Sequence, residues 1–362
     1  MTSLRKQVGQ LLIVGLEGVK LSPLERSWVK LVEPGGVILF RRNIDCPEQT
    51  HPLLGEIESL ASICLFRCID VEGGLVDRLR GAVAPMPSLA AVAASGKTAV
   101  YLKHGQLIGR EARVLGFNTV FAPVLDLALP ESQAVMRSRV YFEEPAPLIA
   151  YAEAFLRGLA SAGAWGCGKH FPGLGGGTLD SHHATPLIDR SWQEMWLTDM
   201  LPYRELKQQL PMVMVSHASY PTAGETAPAS VSHYWITEVL TRRIGYRGLI
   251  VSDDMEMGGI LSRMSIEEAV VGAVSAGTHL VEVCKDPSLA LRAYEALLDE
   301  AEKSATFRRT VENAYGKILR TKRKLNPRPV DKPPSTLQIE RLRADVAAFS
   351  ARFPEPEAKA VA

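Results

Sequence analysis

Eight short apolar segments recur along the chain, and stretches with helical periodicity separate them. The segments span residues 11–16, 35–40, 64–70, 118–127, 164–171, 212–218, 248–254 and 279–284. Most are continuous rather than alternating, which is typical of strands buried on both faces of a parallel sheet. Eight such strands alternating with helices predict an α/β fold, a closed (β/α)8 barrel of the TIM type.

A doubly wound open sheet is the alternative, because a strand count taken from one sequence can be wrong by about one or two. No G-x-G-x-x-G segment opens a helix after the first apolar segment, which disfavours a dinucleotide-binding fold. The glycine-rich stretch 173–177 is not followed by Lys and Ser or Thr, so it does not have the pattern of a phosphate-binding loop.

The chain continues well beyond the eighth apolar segment. Two helical patterns cover 287–304 and 305–325, and the proline-rich stretch 326–335 cannot extend a helix. An amphipathic pattern over 336–353 predicts a last helix, followed by a short tail that we expect to be disordered. We therefore predict a barrel domain over 1–325 and a C-terminal appendage over 326–362 that consists of linker, helix and tail.

Composition excludes several classes of function. Lys and Arg number 41 against 40 Asp and Glu, so no basic surplus exists to bind nucleic acid. No apolar run reaches the ~20 residues that a membrane span requires. The five cysteines have no disulfide-like spacing and no N-terminal signal is visible, so we expect free thiols and a cytoplasmic location.

Polar residues collect where the predicted strands end, which is where barrels of this kind carry their chemistry. Five of the eight apolar segments are followed by acids, bases or cations: Asp70, Glu72 and Arg78; Asp126 and Arg139; Lys169, His170, Asp180, His182 and His183; His217; Asp253 and Asp254. A lone aspartate at a strand end is more often a helix cap than a catalyst. The concentration of such residues after five strands predicts a functional site.

A carboxylate facing a proton donor across a polar pocket suits cleavage of a glycosidic bond. Asp253 is a good candidate nucleophile, because the apolar segment 248–254 brings it to the end of a rigid strand. Asp254 should point elsewhere in an extended chain and serve as a cap or an acceptor for loop N–H groups. A metal site is the alternative, with ligands from His170, His182, His183, His217 and Asp253. No compact ligand spacing supports it, so we expect neither a metal nor a cofactor.

The chain resembles glycoside hydrolase family 3, in particular the single-barrel bacterial β-N-acetylglucosaminidases (β-N-acetylhexosaminidases) of cell-wall recycling. The motifs that carry the resemblance lie in order at 4–18, 35–44, 69–80, 116–127, 169–186, 212–221 and 248–257. The most specific of them are "KHFPGLGGGTLDSHHATP", which begins at Lys169, and "GLIVSDDMEM", which contains Asp253.

This resemblance implies a retaining hydrolase that removes terminal β-linked N-acetylglucosamine. His182, paired with Asp180, would be the general acid and base, and Asp253 the nucleophile that forms a covalent glycosyl-enzyme. The residues implied to contact the substrate are Asp70, Arg78, Arg139, Lys169 and His170. The expected partner is a small N-acetylglucosaminyl saccharide or muropeptide, and we expect the protein to be a monomer.

Three positions depart from the family's pattern. The family usually has Gln and Arg where this chain has Val71 and Leu75, and commonly His where it has Leu174. These departures bear on the choice of sugar and linkage more than on the reaction. The alternatives are therefore a β-glucosidase or β-xylosidase, a phosphorylase, or a sugar-binding relative with little catalytic activity.

Overall fold

A computed structural model describes residues 2–177, 185–325 and 332–356. Its centre is a closed barrel of eight parallel strands, which confirms the predicted fold and excludes the open sheet. Around the barrel, neighbouring strands follow the order β1-β2-β3-β6-β7-β8-β9-β10, and β10 closes on β1. The strands are β1 (Leu12–Val14), β2 (Gly36–Leu39), β3 (Phe66–Ile69), β4 (Val71–Gly73), β5 (Val76–Asp77), β6 (Thr119–Val120), β7 (Trp165–Phe171), β8 (Met212–Val215), β9 (Leu249–Asp254) and β10 (Leu280–Val283).

Strands β4 and β5 lie outside the barrel and form a small antiparallel hairpin directly after β3. Every residue of β2, β3, β8 and β10 is buried, as the continuous apolar segments predict. Parallel strands share one direction, so the residues that follow β3, β7 and β9 meet at the same end of the barrel. This geometry gathers residues from distant parts of the sequence into one site.

Helices fill the connections between strands and enclose the barrel. They are α1 (Leu4–Gly9), α2 (Pro23–Val32), α3 (Pro47–Leu60), α4 (Leu89–Ala93), α5 (Thr98–Val114), α6 (Gln133–Met136), α7 (Pro145–Ser161), α8 (Trp192–Leu197), α9 (Leu201–Glu205), the π-helix Tyr234–Arg243, α10 (Gly258–Leu261), α11 (Ile266–Ala276), α12 (Pro287–Lys303), α13 (Ala305–Leu325) and α14 (Thr336–Ser350). Their boundaries follow local sequence signals. Helix α11, for example, begins with a capping box of Ser265 and Glu268 and ends at Gly277 in the left-handed conformation.

Helix α14, the helix predicted for the appendage, packs against α5 of the barrel. The ring of Phe349 stacks on the imidazole of His104, with 6.1 Å between centroids and 19° between planes. Two further contacts hold the loop that follows the β4–β5 hairpin. Arg343 Nη2 donates to the Ala82 carbonyl (2.8 Å), and Ser350 Oγ donates to the Pro85 carbonyl (2.6 Å). The helix therefore fixes a loop close to the polar end of the barrel.

The chain just beyond α14 also contacts this loop. The Glu355 carboxylate accepts a hydrogen bond from the Ser88 N–H (2.7 Å), so the first residues of the expected disordered tail have a defined contact. Residues 326–331 of the predicted linker and 357–362 of the tail lie outside the described residues. Among the helices that the structure describes, none combines the length and apolar character needed to cross a membrane.

Replacing Phe349 by Ala should lower the free energy of unfolding by about 3 kcal/mol, because a large buried ring is lost from the α14–α5 interface. Chemical denaturation measures the change. The matched control is Leu337→Ala on the same helix, since that side chain is 54% exposed and should matter little. Equal effects of the two substitutions would show that the helix is not held by the Phe349 contact.

Candidate active site

A cavity of about 120 Å³ opens at the end of the barrel where the carboxyl ends of the strands meet. Its polar lining combines carboxylates, cations and one imidazole: Asp70, Glu72, Arg78, Arg139, Lys169, His170, Asp253, Asp254 and Glu282. Apolar side chains form the rest of the wall, namely Phe40, Val76, Val135, Met136, Leu174, Pro186, Met214 and Met257. Such a wall suits a ligand with both hydroxyl groups and an apolar face.

Glu72 joins two cations of the cavity, the buried Lys169 and the partly buried Arg139. Its carboxylate accepts two hydrogen bonds from the Arg139 guanidinium, at 2.8 Å from Nε and 3.0 Å from Nη2. The ammonium of Lys169 lies 2.7 Å from Glu72 Oε1 and donates to Asp70 Oδ1 at 2.8 Å. The network thus connects the β4–β5 hairpin, strand β7 and the turn that carries Arg139.

These pairings fix the charges of Glu72 and Lys169. Burial by itself would raise the pKa of the Glu72 carboxyl, but the Arg139 and Lys169 charges hold that pKa well below its ordinary value. Burial likewise opposes the charge of Lys169, and the two carboxylates beside it nevertheless raise its pKa. The lysine therefore stays cationic and donates to carboxylates.

His170 is oriented by Asp126, which lies in the connection that follows β6. The His170 Nδ1–H donates to Asp126 Oδ2 (2.7 Å), and the other carboxylate oxygen accepts from the Leu174 N–H (2.8 Å). Because Nδ1 is engaged by this carboxylate, Nε2 is the ring nitrogen left for other partners, and it lies 3.4 Å from Arg139 Nη2. One carboxylate thus sets both the ring's orientation and the start of the loop after β7.

Asp253 lies at the end of β9 with its environment arranged to keep it ionised. Burial by itself would raise the pKa of its carboxyl, but the imidazoles of His170 and His217 hold that pKa below its ordinary value. The N–H of Asp254 also donates to Asp253 Oδ1 (3.0 Å). An ionised carboxylate on a rigid strand end can attack an electrophilic carbon.

Asp254 also lines the cavity, which corrects the expectation that only one of the two aspartates would face it. The register between β9 and β10 shifts at this point, from Val251 opposite Leu280 to Asp254 opposite Glu282. Such a bulge breaks the alternation of side chains on which the expectation depended. Asp254 is nevertheless a loop acceptor as predicted, because its Oδ1 accepts from the Glu256 N–H (3.1 Å).

The remaining predicted contact residue, Arg78, is half-buried with its guanidinium 5.8 Å from the centre of the Phe40 ring. Its Nε has no hydrogen-bond partner among the described residues, so it has a donor to offer a ligand. The three departures from the family pattern lie in different surroundings. Leu174 lines the cavity, Val71 is buried, and Leu75 is 45% exposed.

The structure brings together six of the residues singled out from the sequence: Asp70, Arg78, Arg139, Lys169, His170 and Asp253. Asp180, His182 and His183 lie outside the described residues. The site also contains Glu72 and Asp126, which the sequence placed at strand ends without assigning them a role. Glu282 is a further site residue, and the sequence did not single it out. Glu282 is a lone acid inside the apolar segment 279–284, and this position is the only feature of the sequence that could have indicated a functional role.

Within the ranges that the structure describes, no group of His, Cys, Asp and Glu side chains has the geometry to hold a metal ion. The alternative metal site draws two of its ligands from His182 and His183, which those ranges do not include.

A (β/α)8 barrel with paired carboxylates, an imidazole and hydrogen-bonding cations at one mouth has the architecture of a glycoside hydrolase. The comparisons agree, because residues 3–321 match the family model of the glycosyl hydrolase family 3 N-terminal domain. The chain belongs to glycoside hydrolase family 3, as its motifs predict.

Named relatives match most of the chain. The Beta-hexosaminidase of Pseudomonas aeruginosa strain LESB58 is 35% identical over 287 residues, which cover 79% of this chain and 86% of the relative. A family 3 beta-N-acetylglucosaminidase structure from Paenibacillus sp. FPU-7 superposes with a TM-score of 0.88 at 29% identity, covering 98% of this chain and 69% of that one.

A second similar structure contains a bound sugar. It is NagZ from Neisseria gonorrhoeae in complex with N-trifluoroacetyl-D-glucosamine, with a TM-score of 0.77 at 28% identity. The superposition covers 95% of this chain and 97% of that one. The prediction of a glycoside hydrolase is therefore confirmed.

The carboxyl of Asp254 provides a test of the electrostatics of the site. Burial chiefly, with repulsion from Glu256 and Asp253, raises its pKa to about 7. Because the folded protein holds this proton more tightly than the unfolded chain, Asp254 should lower stability as the pH rises from about 4 to about 7. Asp254→Asn removes the titrating carboxyl and with it this loss. Across that pH range the free energy of unfolding of the variant should therefore rise by about 3 kcal/mol relative to that of the parent.

Urea denaturation of both proteins at pH 4.5 and pH 8 measures this gain. Glu131→Gln, on an exposed turn, is the control for removing a carboxylate elsewhere. A stability difference between the variant and the parent that is the same at both pH values would contradict the raised pKa of Asp254.

Proposed function

We propose that this protein is a retaining β-N-acetylhexosaminidase that removes terminal non-reducing β-linked N-acetylglucosamine. The observation that carries the proposal is the ionised Asp253 carboxylate on the wall of a polar cavity in a family 3 barrel. The names of the relatives, a Beta-hexosaminidase and a beta-N-acetylglucosaminidase, support the choice of sugar.

In the proposed reaction, Asp253 attacks the anomeric carbon from one face and forms a covalent glycosyl-enzyme. Its low pKa keeps it unprotonated and nucleophilic at neutral pH. Water then attacks the same carbon from the face that the leaving group vacated, so the product retains the anomeric configuration of the substrate.

His182 is the proposed proton donor to the leaving oxygen, and Asp180 would hold its ring and raise its proton affinity. Support comes from the described residues on either side of the segment 178–184. Gly177 and Pro186, which lie before and after the segment in sequence, both line the cavity. A chain attached at both of these points can present an imidazole to a ligand in the cavity.

The substrate is proposed to be bound by Asp70, Arg78, Arg139, Lys169 and His170. Asp70 and Lys169 form one hydrogen-bonded pair that can accept from one hydroxyl group and donate to another. His170 offers its Nε2, and Arg78 offers its Nε, which has no hydrogen-bond partner among the described residues. The acetamido group would distinguish this substrate from a simple glucoside.

Hydrolysis of p-nitrophenyl β-glycosides tests the function. We expect the N-acetylglucosaminide to be cleaved with a higher kcat/KM than the glucoside or the xyloside, and Asp253→Ala to lose about 10³-fold or more. Azide should restore turnover of Asp253→Ala and yield the glycosyl azide of inverted configuration, since it replaces the missing nucleophile.

The outcomes of this assay separate the alternatives. Preference for the glucoside or xyloside would identify one of the other two hydrolases. Formation of sugar 1-phosphate in phosphate buffer would identify a phosphorylase, and binding without turnover a sugar-binding relative. The muropeptide aglycone, the cytoplasmic location and the monomeric state stay predictions.

The acid role of His182 predicts a dependence on the leaving group. His182→Ala should lose about 10²-fold or more on N,N′-diacetylchitobiose, whose leaving alcohol needs a proton. It should lose much less on a 2,4-dinitrophenyl glycoside, whose leaving group departs as a stable anion. His183→Ala is the matched control and should affect both substrates alike. An equal loss of His182→Ala on both substrates would remove His182 from the acid role.

A further inference from the structure

Glu282 is a buried acid in the wall of the catalytic cavity. It lies within β10, where its neighbours Val281 and Val283 are apolar, and its side chain is 2% exposed. Its N–H donates to Ser252 Oγ (3.0 Å), and its register partner across the sheet is Asp254. The strand therefore places this residue opposite Asp254, the neighbour in sequence of the proposed nucleophile.

Most of the hydrogen-bonding capacity of Glu282 is not used by the described part of the protein. Its Oε1 has no hydrogen-bond partner among the described residues. Its Oε2 is 3.7 Å from the thiol of Cys284, which is a weak donor. No salt bridge to Glu282 is found among those residues, since the nearby ammonium of Lys169 is paired with Asp70 and Glu72.

The surroundings of Glu282 favour its neutral form. Burial first, and then the negative charges of Asp70, Asp253 and Asp254, raise the pKa of this carboxyl well above its ordinary range. Lys169 opposes the shift and does not reverse it. A neutral carboxyl has one O–H donor and one carbonyl acceptor, and both suit an uncharged hydroxyl group better than an ion.

A purely structural role does not account for this residue. Burying a polar group without partners destabilises a protein, and a leucine of similar size would fill the same space without that cost. Unmet polar groups that persist in a cavity wall are typical of ligand-binding sites.

We propose that Glu282 is a specificity-determining residue, whose carboxyl group hydrogen-bonds a hydroxyl group of the sugar bound in the cavity. This inference rests on the proposed function, because it assigns a contact to the glycone of that reaction. It adds a contact from β10 to those expected from the hairpin, β7 and β9.

Two substitutions separate binding from packing. Glu282→Leu removes both the donor and the acceptor and should lower kcat/KM on p-nitrophenyl β-N-acetylglucosaminide by roughly 10–100-fold. Glu282→Gln keeps a donor and an acceptor and should lower it only about threefold. Thermal unfolding should show Glu282→Leu to be at least as stable as the parent, which distinguishes a lost contact from a damaged fold.

The 3-, 4- and 6-deoxy forms of the same substrate identify the contact. On the analogue that lacks the hydroxyl group bound by Glu282, the parent and Glu282→Leu should have equal kcat/KM within about twofold. On the other two analogues the full difference should remain. A ratio of parent to variant that is the same on all substrates, or no loss in Glu282→Leu, would overturn the inference.

The series also separates this inference from the proposed function. If the parent cleaves a different glycoside, the proposed sugar is wrong, and Glu282 is judged on the deoxy series of the sugar that is cleaved. If no glycoside is cleaved, calorimetry with the free sugars and their deoxy forms gives the same comparison of parent and Glu282→Leu. Failure of the parent to bind any of them would overturn both proposals.

Discussion

The buried ion cluster around Glu72 is the interaction on which the geometry of the site depends. A charge removed from water is tolerated only when it is paired, and breaking such a pair typically costs about 3–5 kcal/mol. Glu72 satisfies this requirement with Arg139 on one side and Lys169 on the other. These residues come from a hairpin, a short turn and a barrel strand that are distant in sequence. Because each charge requires a partner, the ion pairs hold these three segments of the cavity wall together.

The carboxyl groups at this end of the barrel fall into two kinds, those whose surroundings lower the pKa and those whose surroundings raise it. Glu72 and Asp253 are kept ionised by cations and imidazoles, whereas burial raises the pKa of Asp254 and Glu282. One site can therefore contain a nucleophile and neutral hydrogen-bonding acids at the same pH. This division also limits the repulsion that four adjacent negative charges would create.

The sequence predicted the barrel and most of its polar mouth, because both follow from local patterns. Continuous apolar segments identified all eight strands, and strand ends located Asp70, Lys169 and Asp253. What it missed depends on contacts in three dimensions. The pairing of Glu72 with Arg139 joins residues 67 positions apart. The bulge that turns Asp254 toward the cavity is defined only by its neighbour β10, which no pattern within β9 could reveal.

The departures from the family pattern are distributed unevenly around the site. Leu174 is on the cavity wall, and its backbone N–H is held by Asp126, the residue that also orients His170. A leucine there can offer only an apolar contact. Its backbone is held by the same carboxylate that holds the imidazole. Val71 and Leu75 are not among the residues that line the cavity. Of these three positions, Leu174 is therefore the one whose apolar side chain can contact a ligand, whereas Glu282 places a polar group on another part of the same wall.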